Sequence, residues 1–234
     1  FAMIKCGGGD DGLYEDRKFQ QNIQGALANG IQVGVYFYSG ASNAREAYDE
    51  ASYCISLIRD YQITYPVAFD WELDGDYDSV TEACETFCNV ISSYGYQPMV
   101  YSNRNRWYNN FDGEKIASKY KVWMAAYFGK FYYDSVRWTY GDELPNFRYH
   151  YDMWQYSSRC YVDGISGQVD VDIAFFGYAN YHVDTKDAVL TVTNKEIKRT
   201  YGDGIGRLTE ELNLLDGVKG INTIGYDMDI EYSI

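Results

Sequence analysis

The run YPVAFDWE, residues 65–72, carries an apolar stretch onto two acids separated by a single tryptophan. A short apolar run bounded by turn signals reads as a buried strand. Alternation along that strand puts Asp70 and Glu72 on one face and Trp71 on the other. Strand rise separates the two acidic Cα atoms by roughly 6.5–7 Å. Two carboxyls so close do not both ionise freely, so one keeps its proton towards neutrality. Acid hydrolysis of a glycosidic bond needs that combination, a protonated carboxyl for the leaving oxygen and a charged one beside the developing cation. The pair also suits a solvated rim or a cation site, because the segment runs on into Leu73-Asp74-Gly75-Asp76.

Outward from this run the chain alternates short apolar stretches with amphipathic ones. Upstream, MIKC (3–6) and IQVGVYFYS (31–39) read as strands, with Gly7-Gly8-Gly9-Asp10 as a loop. Between them, Phe19, Ile23, Ala26 and Leu27 recur at helical spacing over 17–29, closed by Gly30. A second helix is predicted over 43–60, opened by Ser42 or Asn43, with Glu46 three residues after Asn43. Downstream come a helix over 79–93, a strand PMVYSN (98–103), helical sequence to about Tyr120, and strands at 122–127, 151–157 and 171–176. Strands alternating with helices imply parallel β/α units. The count is seven strands, one short of an eight-stranded β/α barrel. After Tyr178 the texture changes to short β-like segments (188–194, 196–202, 227–234) around Asp203-Gly204 and Asp216-Gly217. The expected division is therefore a barrel over 1–178 and a linker with a partial β-rich module over 179–234.

Composition narrows the function classes. With 20 basic against 34 acidic residues the net charge is −14, which argues against a nucleic-acid partner because little is left to neutralise phosphates. The same charge gives no long-range pull on anionic polymers, so an anionic substrate must be held by local contacts. No run approaches the ~20 apolar residues of a membrane span, and no signal-peptide pattern opens the chain. Two histidines and five cysteines show no zinc spacing, and neither histidine lies in a nucleophile motif. No metal or cofactor is expected, and the cysteines read as buried free thiols. The 26 tyrosines, 11 phenylalanines and five tryptophans exceed what strands need, and their faces suit the C–H faces of sugars.

The strand ends concentrate such residues: Tyr36 and Tyr38, Tyr101 with Asn103, Tyr127, Trp154 with Gln155 and Tyr156, and Asp170. Rings and amides around paired acids at the C-terminal ends of barrel strands suit a sugar site. Trp154 and Gln155 also suit a purely structural role, closing the barrel.

In order along residues 1 to about 178, FAMIKCGGG, GVYFYS, YPVAFDWE, GYQPMVYSN, VWMAAY and YDMWQYSS…VDGISGQVDVD resemble glycoside hydrolase family 25, the lysozymes of phages, bacteria and fungi. The resemblance implies a TIM-like β/α barrel that cleaves peptidoglycan between N-acetylmuramic acid and N-acetylglucosamine. It implies Glu72 as general acid, Asp70 as its charged partner and Asp170 as a third acid, with Asp172 where the family usually has Asn. Tyr36, Tyr38, Tyr101, Tyr127, Trp154 and Gln155 fall on groove or acid-orienting positions, and Asn103 beside Tyr101 joins them as a substrate-binding candidate. The partner implied is the glycan strand, met by a monomer outside the cell, at the wall or as a phage endolysin.

One departure stands out. The family opens on a strand bearing Asp-Val-Ser, and this chain begins after it, so the expectation is a truncated barrel with an open seam, one acid fewer and impaired activity. A glycan-binding module without catalysis is the alternative reading, and a structural wall or phage-tail component is a third. Chitinases of family 18 also end a strand in Asp-Trp-Glu, but their further acids would fall on Ala68 and Tyr65, which excludes them.

Overall fold

The computed structural model describes residues 1–139, 141–176, 189–192, 218–221 and 227–228. The chain divides into two compact units, Phe1–Phe176 and Gly177–Ile234. In the first, one curled half-barrel sheet of eight strands carries six helices. Six strands run parallel in the order β1 (Ala2–Gly8), β3 (Val33–Tyr38), β4 (Val67–Asp70), β5 (Pro98–Asn103), β6 (Lys121–Ala125) and β7 (Met153–Cys160).

Both flanks of that parallel core differ from the sequence expectation. β8 (Val169–Ala174) runs antiparallel to β7, because the eight-residue stretch 161–168 is too short for a helical crossover. At the other flank the expected glycine loop continues β1 and pairs antiparallel with β2 (Tyr14–Glu15). A Cβ on Gly7 would sit 2.2 Å from the Tyr14 carbonyl oxygen, so only glycine permits this pairing.

The helices lie where apolar spacing predicts them, with ends set by identifiable caps. α1 (Phe19–Ala28) stops in a Schellman motif: Gly30, at φ +69°, donates to the Leu27 carbonyl and Ile31 to that of Ala26. In α2 (Ala44–Ile58), Asn43 Oδ1 accepts from the Glu46 amide at 3.1 Å, and the Glu46 carboxylate accepts from the Ser42 amide and hydroxyl. α3 (Tyr77–Ser93) is capped by Asp76 and closes on Gly95 with the α1 pattern repeated. Three short helices follow: α4 (Arg104–Asn109), α5 (Gly113–Ala117) and α6 (Gly129–Tyr133).

Alternation sorts the sheet into two faces. Val35, Phe37, Val67, Phe69, Val100, Val122, Met124, Trp154 and Tyr156 join the core beneath the helices, where Phe87 of α3 packs 5.2 Å from Phe69. The residues between them, including Tyr36, Asp70, Tyr101, Trp123 and Gln155, point to the concave side. All five cysteines are free and buried.

The second unit contributes β9 (Val189–Val192), β10 (Val218–Ile221) and β11 (Asp227–Met228), paired antiparallel in the order β11-β10-β9. β9 falls within the expected segment 188–194 and β11 opens 227–234. The segment 196–202 lies outside the described residues.

Candidate active site

Parallel pairing sets the C-terminal ends of β3 to β6 side by side. Tyr38 faces Asp70, Asp70 faces Tyr101, and Tyr101 faces Trp123 in register. One row of backbone therefore delivers a tyrosine, an acid, a second tyrosine and a tryptophan to the concave face. The sheet's curl brings non-neighbours together: Tyr36 of β3 meets Trp123 of β6 edge-on, with centroids 6.2 Å apart.

β4 ends at Asp70, so Glu72 stands just beyond the strand while Trp71 turns outward against Phe111 at 5.6 Å. Asp70 is 5% exposed and its Oδ1 has no hydrogen-bond partner among the described residues. Burial first, then the Glu72 charge, pushes the Asp70 carboxyl well above the ordinary carboxylate range, with Lys5 pulling the other way. Glu72 is half-buried; burial and then Asp170 raise it, against the lowering influence of Arg106. Burial raises both carboxyls, Asp70 from within the sheet and Glu72 from its rim. A substrate oxygen can reach Glu72.

Asp170 is exposed on β8, yet the surrounding protein raises its carboxyl too. It acts on Asp70, Glu72 and Tyr36 electrostatically, which places the three acids in one field. Asp172, in register with Gln155, is pushed up to about 8 by burial, while the 2.7 Å hydrogen bond from Trp123 Nε1 works against that push.

Gln155 is the centre of the far wall. Its Oε1 accepts from the Tyr101 hydroxyl at 2.8 Å and from the Tyr127 hydroxyl. Tyr127 is 40% exposed and stacks on Tyr132 at 5.2 Å, leaving ring surface at the mouth. Tyr38 lies on the opposite side beneath Lys5 Nζ, 4.8 Å from its ring centroid.

One expected site residue is placed elsewhere, and a second is partly engaged. Trp154 is fully buried on the convex face, stacked on Phe128 at 5.5 Å, with Nε1 donating to the Ala126 carbonyl. Gln155 faces inward, so alternation turns Trp154 outward; it is core, not groove. Asn103 spends its side-chain oxygen on the Arg106 amide as N-cap of α4. Conversely, sequence reasoning passed over Trp123 and Arg106. Trp123 forms the floor between Tyr36 and Tyr101, the latter ring 4.5 Å away. Arg106 Nε donates to the Leu73 carbonyl at 3.0 Å, tying α4 to the loop that carries Glu72. Alternation in VWMAAY, which sets Trp123, Ala125 and Tyr127 on one face, was the available signal for Trp123. Among the described residues, no group of three or more His, Cys, Asp or Glu could hold a metal ion.

The model of glycosyl hydrolases family 25 matches residues 1–165. The autolytic lysozyme of Clostridium acetobutylicum is 25% identical over 90% of this chain and 59% of its own. A lysozyme of Streptococcus phage Cp-1 is 29% identical over 54% of this chain and 37% of its own. The chain spans less than two thirds of the length of these curated relatives. Among solved structures, the CTP1L endolysin matches with TM-score 0.59 and 26% identity, covering 74% of this chain and 56% of that one. The autolysin LytC from Streptococcus pneumoniae, solved with a synthetic peptidoglycan ligand, matches with TM-score 0.58 and 27% identity over 73% and 39%.

Proposed function

The chain belongs to glycosyl hydrolases family 25, and from that premise we propose that it is a glycoside hydrolase that cleaves the β-1,4 bond between N-acetylmuramic acid and N-acetylglucosamine in peptidoglycan. The observation that carries the reading is the convergence of Asp70, Glu72 and Asp170 on a concave face lined by Tyr36, Tyr38, Tyr101, Trp123 and Tyr127. The endolysin and autolysin likenesses support the cell wall as its place of action.

In this reading Glu72 is the general acid, because it is the reachable member of the pair and its carboxyl is raised. It protonates the leaving glycosidic oxygen as positive charge grows on the sugar ring. Asp70, beneath it, is placed to set its carboxyl against the positive charge that develops on the sugar ring. Asp170 supplies negative charge from β8 across the mouth. The Tyr101–Gln155–Tyr127 cluster holds two phenols in one orientation on the wall of the cleft, and the exposed Tyr127 ring stacks on a sugar.

Product chemistry tests the assignment. Digesting purified peptidoglycan, reducing the new ends with borohydride and weighing the products distinguishes the two sugars. Muramic acid at the reduced end is expected. Reduced glucosamine ends would assign the other glycosidic bond, and binding without new ends would make the chain a glycan-binding module.

A further inference from the structure

A second hollow lies on the same rim as the acids, beyond α4. It has a volume of about 350 Å³ and is lined by Arg104, Tyr108, Asn146 and Arg148. Arg104 and Tyr108 belong to α4, whose Arg106 reaches the Glu72 loop, so one short helix separates the hollow from the proposed cleft. Both arginines are held by neutral groups. Arg104 Nη1 donates to the Asn146 carbonyl at 3.3 Å. The Arg148 guanidinium lies 4.8 Å from the Tyr108 ring centroid, and its backbone N–H donates to the Tyr108 oxygen at 3.0 Å. Tyr108 is itself stacked on Phe147 with centroids 5.5 Å apart.

Neither guanidinium has an ion pair among the described residues, although the protein carries 34 acidic residues against 20 basic ones. Two like charges lining one hollow repel each other, and in so acidic a chain a carboxylate partner would be easy to supply. Their fork-shaped donors match an oxyanion. Steady placement by a carbonyl and a stacked ring lowers the ordering cost of accepting one.

We infer that this hollow binds a carboxylate of the peptide stems that branch from the glycan strand. The choice of a stem carboxylate rests on the functional reading above. Stems are covalently attached to the sugar being cleaved, so a strand in the cleft presents their carboxylates to the rim at high effective concentration. An acidic protein with no long-range attraction for an anionic polymer gains a local, oriented contact in this way.

The test uses the intact chain and two readouts. Titration with a free stem peptide, followed through the arginine Nε–H signals in NMR spectra, is expected to move and saturate those of Arg104 and Arg148. The same peptide with its carboxyls amidated should leave them in place. In hydrolysis, the double variant Arg104→Gln/Arg148→Gln is expected to raise KM about tenfold on peptide-bearing wall with kcat unchanged. On glycan stripped of peptides by an amidase it should match the wild type. Unmoved arginine signals, or equal losses on stripped and unstripped glycan, would overturn the inference. A KM effect that vanishes once wall phosphodiesters are extracted would overturn the carboxylate assignment in favour of a phosphate. Because the free peptide contains no glycosidic bond, moved signals without hydrolysis would leave the hollow standing and remove the proposed activity.

Discussion

Glu50 offers a prediction whose size follows from the structure. The side chain projects from α2, is 3% exposed and braces the loop after β3: Oε2 accepts from the Ser39 hydroxyl at 2.5 Å and Oε1 from the Gly40 amide at 2.8 Å. A Cβ on Gly9 would lie 2.1 Å from Oε1, so the loop after β1 also closes on this carboxyl. Burial outweighs both hydrogen bonds and pushes the group from 4.5 up to about 7. Below pH 4.5 folded and unfolded chains both hold the proton. Between 4.5 and about 7 only the folded chain does, so this group's contribution to stability falls as pH rises through that window and is flat above it. At 1.36 kcal/mol per pH unit the loss is about 3 kcal/mol. Glu50→Gln mimics the protonated form: its carbonyl still accepts from Gly40 and its amide donates to Ser39. The variant should lack this loss and gain about 6–12 °C in Tm over the wild type at pH 8, converging with it near pH 4.5. Calorimetric melts of both proteins from pH 4.5 to 8 check this. Parallel Tm curves, with no gap opening as pH rises, would refute the argument that Glu50 is a proton-holding brace.

Arg106→Gln removes the one influence that lowers the Glu72 carboxyl, so the alkaline limb of the pH–rate profile should move to higher pH; a limb that stays or moves down contradicts the pairing. Trp154→Ala should cost about 3–5 kcal/mol in denaturant unfolding, as for a buried core ring. Tyr127→Ala should cost far less in the same assay but raise KM for glycan several-fold, because its ring is half-open and its hydroxyl pairs with Gln155. Exchange of those two outcomes would place Trp154 in the groove after all.

Much of the fold was legible because local chemistry and tertiary need agree. Parallel strands covered on their convex face read as apolar runs, and helix ends carry their caps in the sequence, as Asn43 with Glu46 and Gly30 and Gly95 show. The direction of β8 was not legible from its own residues. It depends on the length of the 161–168 connection, which a count of strands ignores. β2 is two residues long and leaves no pattern at all. On the concave side, the positions of Asp70 and Glu72 were legible from their spacing, and those of Tyr36, Tyr101 and Gln155 from strand alternation. Trp154 was misjudged because aromatic character outweighed parity, although an inward Gln155 dictates an outward neighbour. The upward push on the Asp70 carboxyl depends on its depth, which the end of a strand sets and composition does not show.

The most direct test is the rate of reducing-end release from purified peptidoglycan by the wild type and by Glu72→Gln, with bound protein measured in parallel. A rate loss of about 10²–10⁴-fold with undiminished binding is expected, the scale of a lost general acid. A variant that keeps most of the wild-type rate would contradict it.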